Sequence, residues 1–237
     1  MSLADKDRYD LAYVLEDYFF DKGWMGFGLA VLASWANIWM LNELVLTDAV
    51  YYNSFGDRLT GNRISDMLAF QEKWQWATYL LVPLLIAAQV FLISLCMWAG
   101  AITLDWKMHF RGLFRLVMQV FGFMTVLRLL PTFLLTFREV SVLDDLVQSD
   151  WYSVLALLGR EQVPDWLHLP LMGINFFHAV FVFLLGLGLA LWDRQKPFSK
   201  GGPLGILGST GFVLGSYGSG VLLLWLIVVF LQLNARG

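Results

Sequence analysis

The chain has 237 residues, 58% of them hydrophobic and 15% charged, with a net charge of −3 and a mean hydropathy of +0.63. An ordinary soluble domain is about a quarter charged, so that class is excluded, and net acidity gives no reason to expect a nucleic-acid partner. Cys96 is the single cysteine, so no disulfide can form within the chain.

The chain opens on "MSLADKDRYD", which is acidic and lacks the basic segment and short apolar core of a cleavable signal. Residues 1–23 then carry an amphipathic pattern. Leu11, Val14, Leu15, Tyr18 and Phe19 share one helical face. Opposite them stand Asp10, Glu16, Asp17 and Asp21, where a membrane-surface helix carries Lys and Arg. The stretch is expected to dock on a protein partner or on the chain's own loops; plain interfacial anchoring is the alternative.

The region 24–233 contains apolar runs that reach the roughly 20 residues needed to cross a bilayer. Five spanning helices are expected, at 24–46, 77–104, 112–137, 169–192 and 204–233. The fold class is therefore all-α, a polytopic bundle, because lipid offers backbone groups no partner. Lys and Arg favour the cytoplasmic side. With the N-terminus inside, that side holds Lys6, Arg8, Lys22, Lys107, Arg111, Arg115, Arg194, Lys196 and Lys200. The outside then holds Arg58, Arg63, Lys73, Arg138, Arg160 and Arg236. The balance favours a cytoplasmic N-terminus and an outer C-terminus.

Two long outer connections follow, 47–76 and 138–168. In the first, Ser65 is expected to cap a helix that runs through "DMLAFQEKWQW" into the second span. The second carries "VSVLDDLVQ" and "SDWYSVLALLG", short amphipathic pieces closed by Gly159 and Pro164. One reading lays both connections on the membrane surface, with Trp74, Trp76, Trp151 and Trp166 at headgroup level. The other makes them a docking cap for a partner.

Within the third span, "FGFMTVLRLLPTFLLTF" holds Arg128 three residues before Pro131. Polar residues on neighbouring spans fall at matching depth: Asn37, Gln89, Asn175 and His178, with Glu43 nearer the surface. Asn175 and His178 are i, i+3 neighbours on one face of the fourth span. A lipid-facing arginine at mid-depth costs about 2.5–3.5 kcal/mol on insertion scales, so Arg128 is expected to face inward and pair within this cluster. Pro131 also leaves the Leu127 carbonyl without its helical donor. The cluster is a structural hydrogen-bond network, a site for an anion, a carboxylate or a lipid headgroup, or a contact with an acidic residue of a partner.

In the fifth span Gly208, Gly211, Gly215 and Ser219 recur on one face. Small residues let membrane helices approach closely; the face packs either within the chain or against another subunit. "GSTGFVLGSYGSG" lacks the Gly-Lys-Ser/Thr ending of a phosphate loop. Only His178 of the three histidines is deep, so a bis-histidine haem lacks its second ligand within the chain. No zinc-protease helix motif or nucleophile elbow occurs. No catalytic residue, metal or cofactor is expected.

The segment "PLMGINFFHAVFVFLLGLGLALW", followed by "GSYGSG", resembles a group of bacterial multi-pass inner-membrane proteins that enter the fourth span with Pro-Leu-x-x-x-Asn-x-Phe. The resemblance covers the last third of the chain and implies no activity. The expected role is a non-catalytic integral subunit of a larger membrane assembly, of an export or secretion type, with lipids and other subunits as partners. The alternative is a small transporter or channel with its binding site around Arg128.

Overall fold

The computed structural model describes residues 23–56, 59–148, 152–195, 198 and 205–235. The amphipathic stretch before residue 23 and Trp151 lie outside them. Among the described residues the secondary structure is helical, with no strand beyond one isolated bridge. Five helices are long and apolar enough to span a membrane: Trp24–Val45, Gly61–Thr103, Phe110–Leu135, Phe176–Arg194 and Ile206–Leu231. The protein is an all-α, multi-pass membrane protein.

In chain order, α1 is Gly23–Met40, continued by a π-helical turn at Leu41–Val45; α2 is Asp48–Phe55 and α3 Gly61–Thr103. Then come α4 Phe110–Leu127, α5 Leu129–Leu135, α6 Leu143–Gln148 and α7 Val154–Leu158. A 3₁₀ turn at Arg160–Gln162 leads to α8 Asp165–Gly173, α9 Phe176–Gln195 and α10 Ile206–Ala235.

Helix α3 has 43 residues, about 64 Å at 1.5 Å per residue. The amphipathic piece of the first connection and the second span are thus one helix, as the sequence suggests. Its start differs: the helix opens at Gly61, and the Ser65 hydroxyl donates to the Asn62 carbonyl at 2.8 Å from within the first turns. Ser65 is not the cap. Pro83 lies inside α3 and supplies no N–H to the carbonyl of Tyr79, four residues back. The Trp35 indole N–H of α1 donates to that carbonyl at 2.9 Å.

Pro131 acts on the third span. The helix stops at Leu127 and restarts at Leu129, with Arg128 between them at φ −69° and ψ −12°. Pro131 then sits in the first turn of α5, where a missing N–H costs nothing.

The fourth span begins later than expected. Around Asn175 the chain leaves the helical path and forms an antiparallel bridge with Ser153. The Val154 N–H donates to the Ile174 carbonyl and the Phe176 N–H to the Tyr152 carbonyl, both at 3.0 Å. Helix α8 is therefore separate from α9.

The described residues fall into two compact units. The first comprises 23–28, 87–124 and 177–235. Met97, Leu113, Leu116, Val117, Leu185, Leu189 and Val213 are fully buried in it. Glycines set its close crossings. A Cβ on Gly26 would stand 2.6 Å from the Met118 carbonyl, and one on Gly186 would stand 2.8 Å from the Thr210 Cα. In lipid, helices associate through such packing. The second unit comprises 29–86 and 125–176, with Val45, Val50, Ile64 and Leu155 in its core.

Candidate functional site

Four features of the structure hold polar chemistry or an open packing face. The expected Arg128 cluster is not one of them. Arg128 is exposed, and among the described residues it has no hydrogen-bond or ion-pair partner. Glu43 is exposed on the π-helical turn. Asn37 is half-buried, and its Oδ1 accepts no hydrogen bond from a described residue. Asn175 stands outside α9, and its Nδ2 donates to the Met172 carbonyl at 3.1 Å, so it shares no helical face with His178. His178 stacks on Tyr217 with ring centroids 5.5 Å apart. Gln89 is exposed. The expectation of an inward, paired Arg128 is corrected. The matching depths assume unbroken third and fourth spans, and the helix break at Arg128 ahead of Pro131 and the Ser153–Asn175 bridge interrupt both.

The fifth-span face is also repositioned. Gly208, Gly211, Gly215 and Ser219 are all exposed. A Cβ on Gly211 or Gly215 would meet nothing within 4 Å. Packing within the unit uses a neighbouring face. Ser209, Phe212 and Val213 are buried, Ser216 lies where a Cβ on Gly100 would collide, and Gly220 faces Cys96. The fifth span is also the least covered: 11% of its apolar window is buried, against 44% for the third and fourth.

At the end of the first unit nearest the 104–110 turn, the two short loops meet at Phe198. Its N–H donates to the Asp193 carboxylate at 2.9 Å, and its carbonyl accepts the Lys107 N–H at 3.3 Å. The Phe198 ring lies 5.5 Å from Trp106 and 5.8 Å from Trp192. Asp105 opens the turn at φ 54°, a left-handed conformation that Asp tolerates better than most residues. Asp193 is fully buried. The sequence reading missed this knot, whose only signals are an Asp-Arg at the end of a span and an aromatic five residues later.

In the second unit the two long connections are tied together. The Asn53 side-chain amide donates to the Ser141 carbonyl at 3.2 Å, and the Leu143 N–H donates to the Ser54 hydroxyl at 2.8 Å. Asp145 accepts the Ser141 and Val142 N–H groups at 2.9 and 3.1 Å. Those two bonds, with the Arg138 charge as a smaller aid, hold its carboxyl below the usual carboxylate range. Ser153 caps α7 through the Ala156 N–H at 3.2 Å. His168 Nε2 lies 3.0 Å from the Val163 carbonyl and 3.2 Å from that of Arg160. Trp74, Trp76 and Trp166 are exposed.

The same unit contains a cleft of about 310 Å³ between the end of the first span and α3. Ile38, Leu41, Asn42 and Leu46 line one side, and Gln71, Trp74, Gln75 and Thr78 the other. The side chains of Asn42, Gln71, Gln75 and Thr78 make no hydrogen bond to any described residue. The π-helical turn at Leu41–Val45 displaces Asn42 from a regular α-helical position. Such turns recur at functional sites. The described residues contain no group of three or more His, Cys, Asp or Glu able to hold a metal.

These features define a class, a five-span membrane protein with an open fifth-helix face and a neutral polar cleft. Comparison with protein-family models, curated proteins and solved structures gives no match.

Proposed function

We propose that the protein is a non-catalytic integral subunit of a larger membrane assembly and joins it through the small-residue face of α10. The observation that carries this reading is the open position of Gly208, Gly211, Gly215 and Ser219. Among the described residues, no helix lies upon this face, which would let a second backbone approach closely. Membrane helices gain little from burying apolar surface against lipid, so close approach is what such a face offers a partner. In this reading the protein sits in a bacterial inner membrane with its N-terminus cytoplasmic, supported by the Lys and Arg bias. The cap of the two long connections then lies outside. Export or secretion fits as the kind of assembly served.

The test is purification in mild detergent, wild type beside Gly211→Leu/Gly215→Leu. The wild type is expected to retain a stoichiometric partner, and the variant to lose it while melting at the same temperature. A wild-type chain that runs alone, or a variant that keeps its partner, overturns the reading.

A further inference from the structure

We infer that the cleft between the end of the first span and α3 binds the uncharged, polyhydroxylated headgroup of a membrane lipid. This does not rest on the subunit reading, since the cleft belongs to the second unit and α10 to the first.

The lining chemistry selects the ligand. None of the eight lining residues is ionisable at neutral pH. A phosphate or carboxylate would find no cation in the wall, and an ammonium would find no carboxylate. What the wall offers is three primary amides and one hydroxyl, each both donor and acceptor. Those groups are unengaged by other described residues, so they are available to a ligand whose own groups also donate and accept. A row of hydroxyls has that property. Trp74 adds the flat apolar ring and polar edge that suit a sugar or polyol face.

Position selects the source. Asn42 lies four residues before Leu46, where the first apolar run ends, and Thr78 lies one residue after Ala77, where the apolar part of α3 begins. Both walls therefore cross the boundary between hydrocarbon and headgroups. Ile38 and Leu41 line the hydrocarbon side, and Leu80, Leu81 and Leu84 are exposed further along α3. An acyl chain can follow these side chains while the headgroup occupies the amides. A volume of about 310 Å³ is at the small end of ligand sites, enough for one sugar ring or a glycerol unit.

The test uses the full-length protein in detergent and native mass spectrometry. Monoglucosyl diacylglycerol, phosphatidylcholine, phosphatidic acid and free glucose are titrated in separate arms. The glucosyl lipid is expected to remain bound one to one, at least about tenfold tighter than either phospholipid. Free glucose is expected neither to bind nor to compete. Gln75→Met/Thr78→Val should weaken retention of the glucosyl lipid by about tenfold or more. Thr78→Val alone, which is close in shape, should weaken it less and guards against misfolding of the pair. Equal retention of phosphatidic acid, or unchanged binding by both variants, overturns the proposal. Binding of free glucose as tight as that of the glucosyl lipid overturns the lipid source.

Discussion

The indole N–H of Trp35 donates to the carbonyl of Tyr79 at 2.9 Å, the carbonyl that Pro83 leaves without a helical donor. One residue opens a gap in the hydrogen bonding of α3, and a second residue on α1 fills it. In lipid an unsatisfied carbonyl has no water to turn to, so the pair fixes α1 against α3 at one register. Trp35→Phe should lower stability by about 1 kcal/mol, read by thermal or denaturant unfolding in detergent. The same change in a Pro83→Ala background should cost less, because an alanine at that position supplies the missing N–H. Equal costs in the two backgrounds would show that the bond contributes nothing.

The knot at Phe198 gives a second outcome. Asp193 is buried and accepts the Phe198 N–H. Asp193→Ala should cost about 1–3 kcal/mol by stranding that donor. Phe198→Ala should cost about 3–5 kcal/mol through lost packing between Trp106 and Trp192. A Phe198→Ala protein with wild-type melting would dismiss the knot as a stabilising element.

The Asp145 carboxyl is held below its ordinary value of 3.8. The charged form is therefore favoured in the fold, and its contribution is complete above that value. It fades as pH falls through the lower folded-state value. Hydrogen exchange at the Ser141 and Val142 amides, corrected for intrinsic rates, should show protection near neutrality that is lost in Asp145→Ala. The same protection should decline only below about pH 4 in the wild type. Loss already at pH 5 to 6 would point to a different group.

Gly186 on α9, which packs against Thr210 of α10, and Gly215 on the open face of α10 should respond differently. Gly186→Val forces a side chain against the Thr210 backbone and should destabilise the isolated chain by about 1–3 kcal/mol. Gly215→Val meets open space and should leave unfolding of the isolated chain within about 0.5 kcal/mol. A matching penalty at Gly215 would place a neighbour there within the chain.

Arg128→Leu should likewise leave stability within about 0.5 kcal/mol of wild type, since the arginine is exposed and unpartnered among the described residues. A loss of about 3 kcal/mol or more would indicate a buried partner of the kind that makes removal of one charge costly.

The five spans were legible in the sequence because length and apolarity decide them, and the structure finds five helices of that kind. Their interruptions were harder. Pro131 marked a disturbance, yet whether it kinks or restarts the helix depends on which side of it the turn falls. Asn175 gave no sign that its backbone would pair with Ser153, because that bridge is made by residues 22 apart. The face of α10 that packs within the first unit was hard to read for a geometric reason. Gly208, Gly211, Gly215 and Ser219 sit one position from Ser209, Phe212, Ser216 and Gly220. One position is about 100° on a helix, and both series contain small residues. The cleft was invisible for a similar reason: Asn42 and Gln75 belong to segments whose adjacency no local pattern encodes.

The bonds from Asn53 to Ser141 and from Leu143 to Ser54 join positions 88 and 89 residues apart. Chains are made from the N-terminus onward, so the first two spans and their connection exist before residue 141 has been synthesised. Until then the Asn53 amide lacks this partner, and the Ser54 hydroxyl has only the Val50 carbonyl, four residues back in its own helix. The latch closes only after the third span has been threaded through and its far end has returned to the same side. Its closure therefore dates an event in biogenesis: it can occur only when three crossings are complete and correctly oriented, and a chain with an inverted third span could never make it.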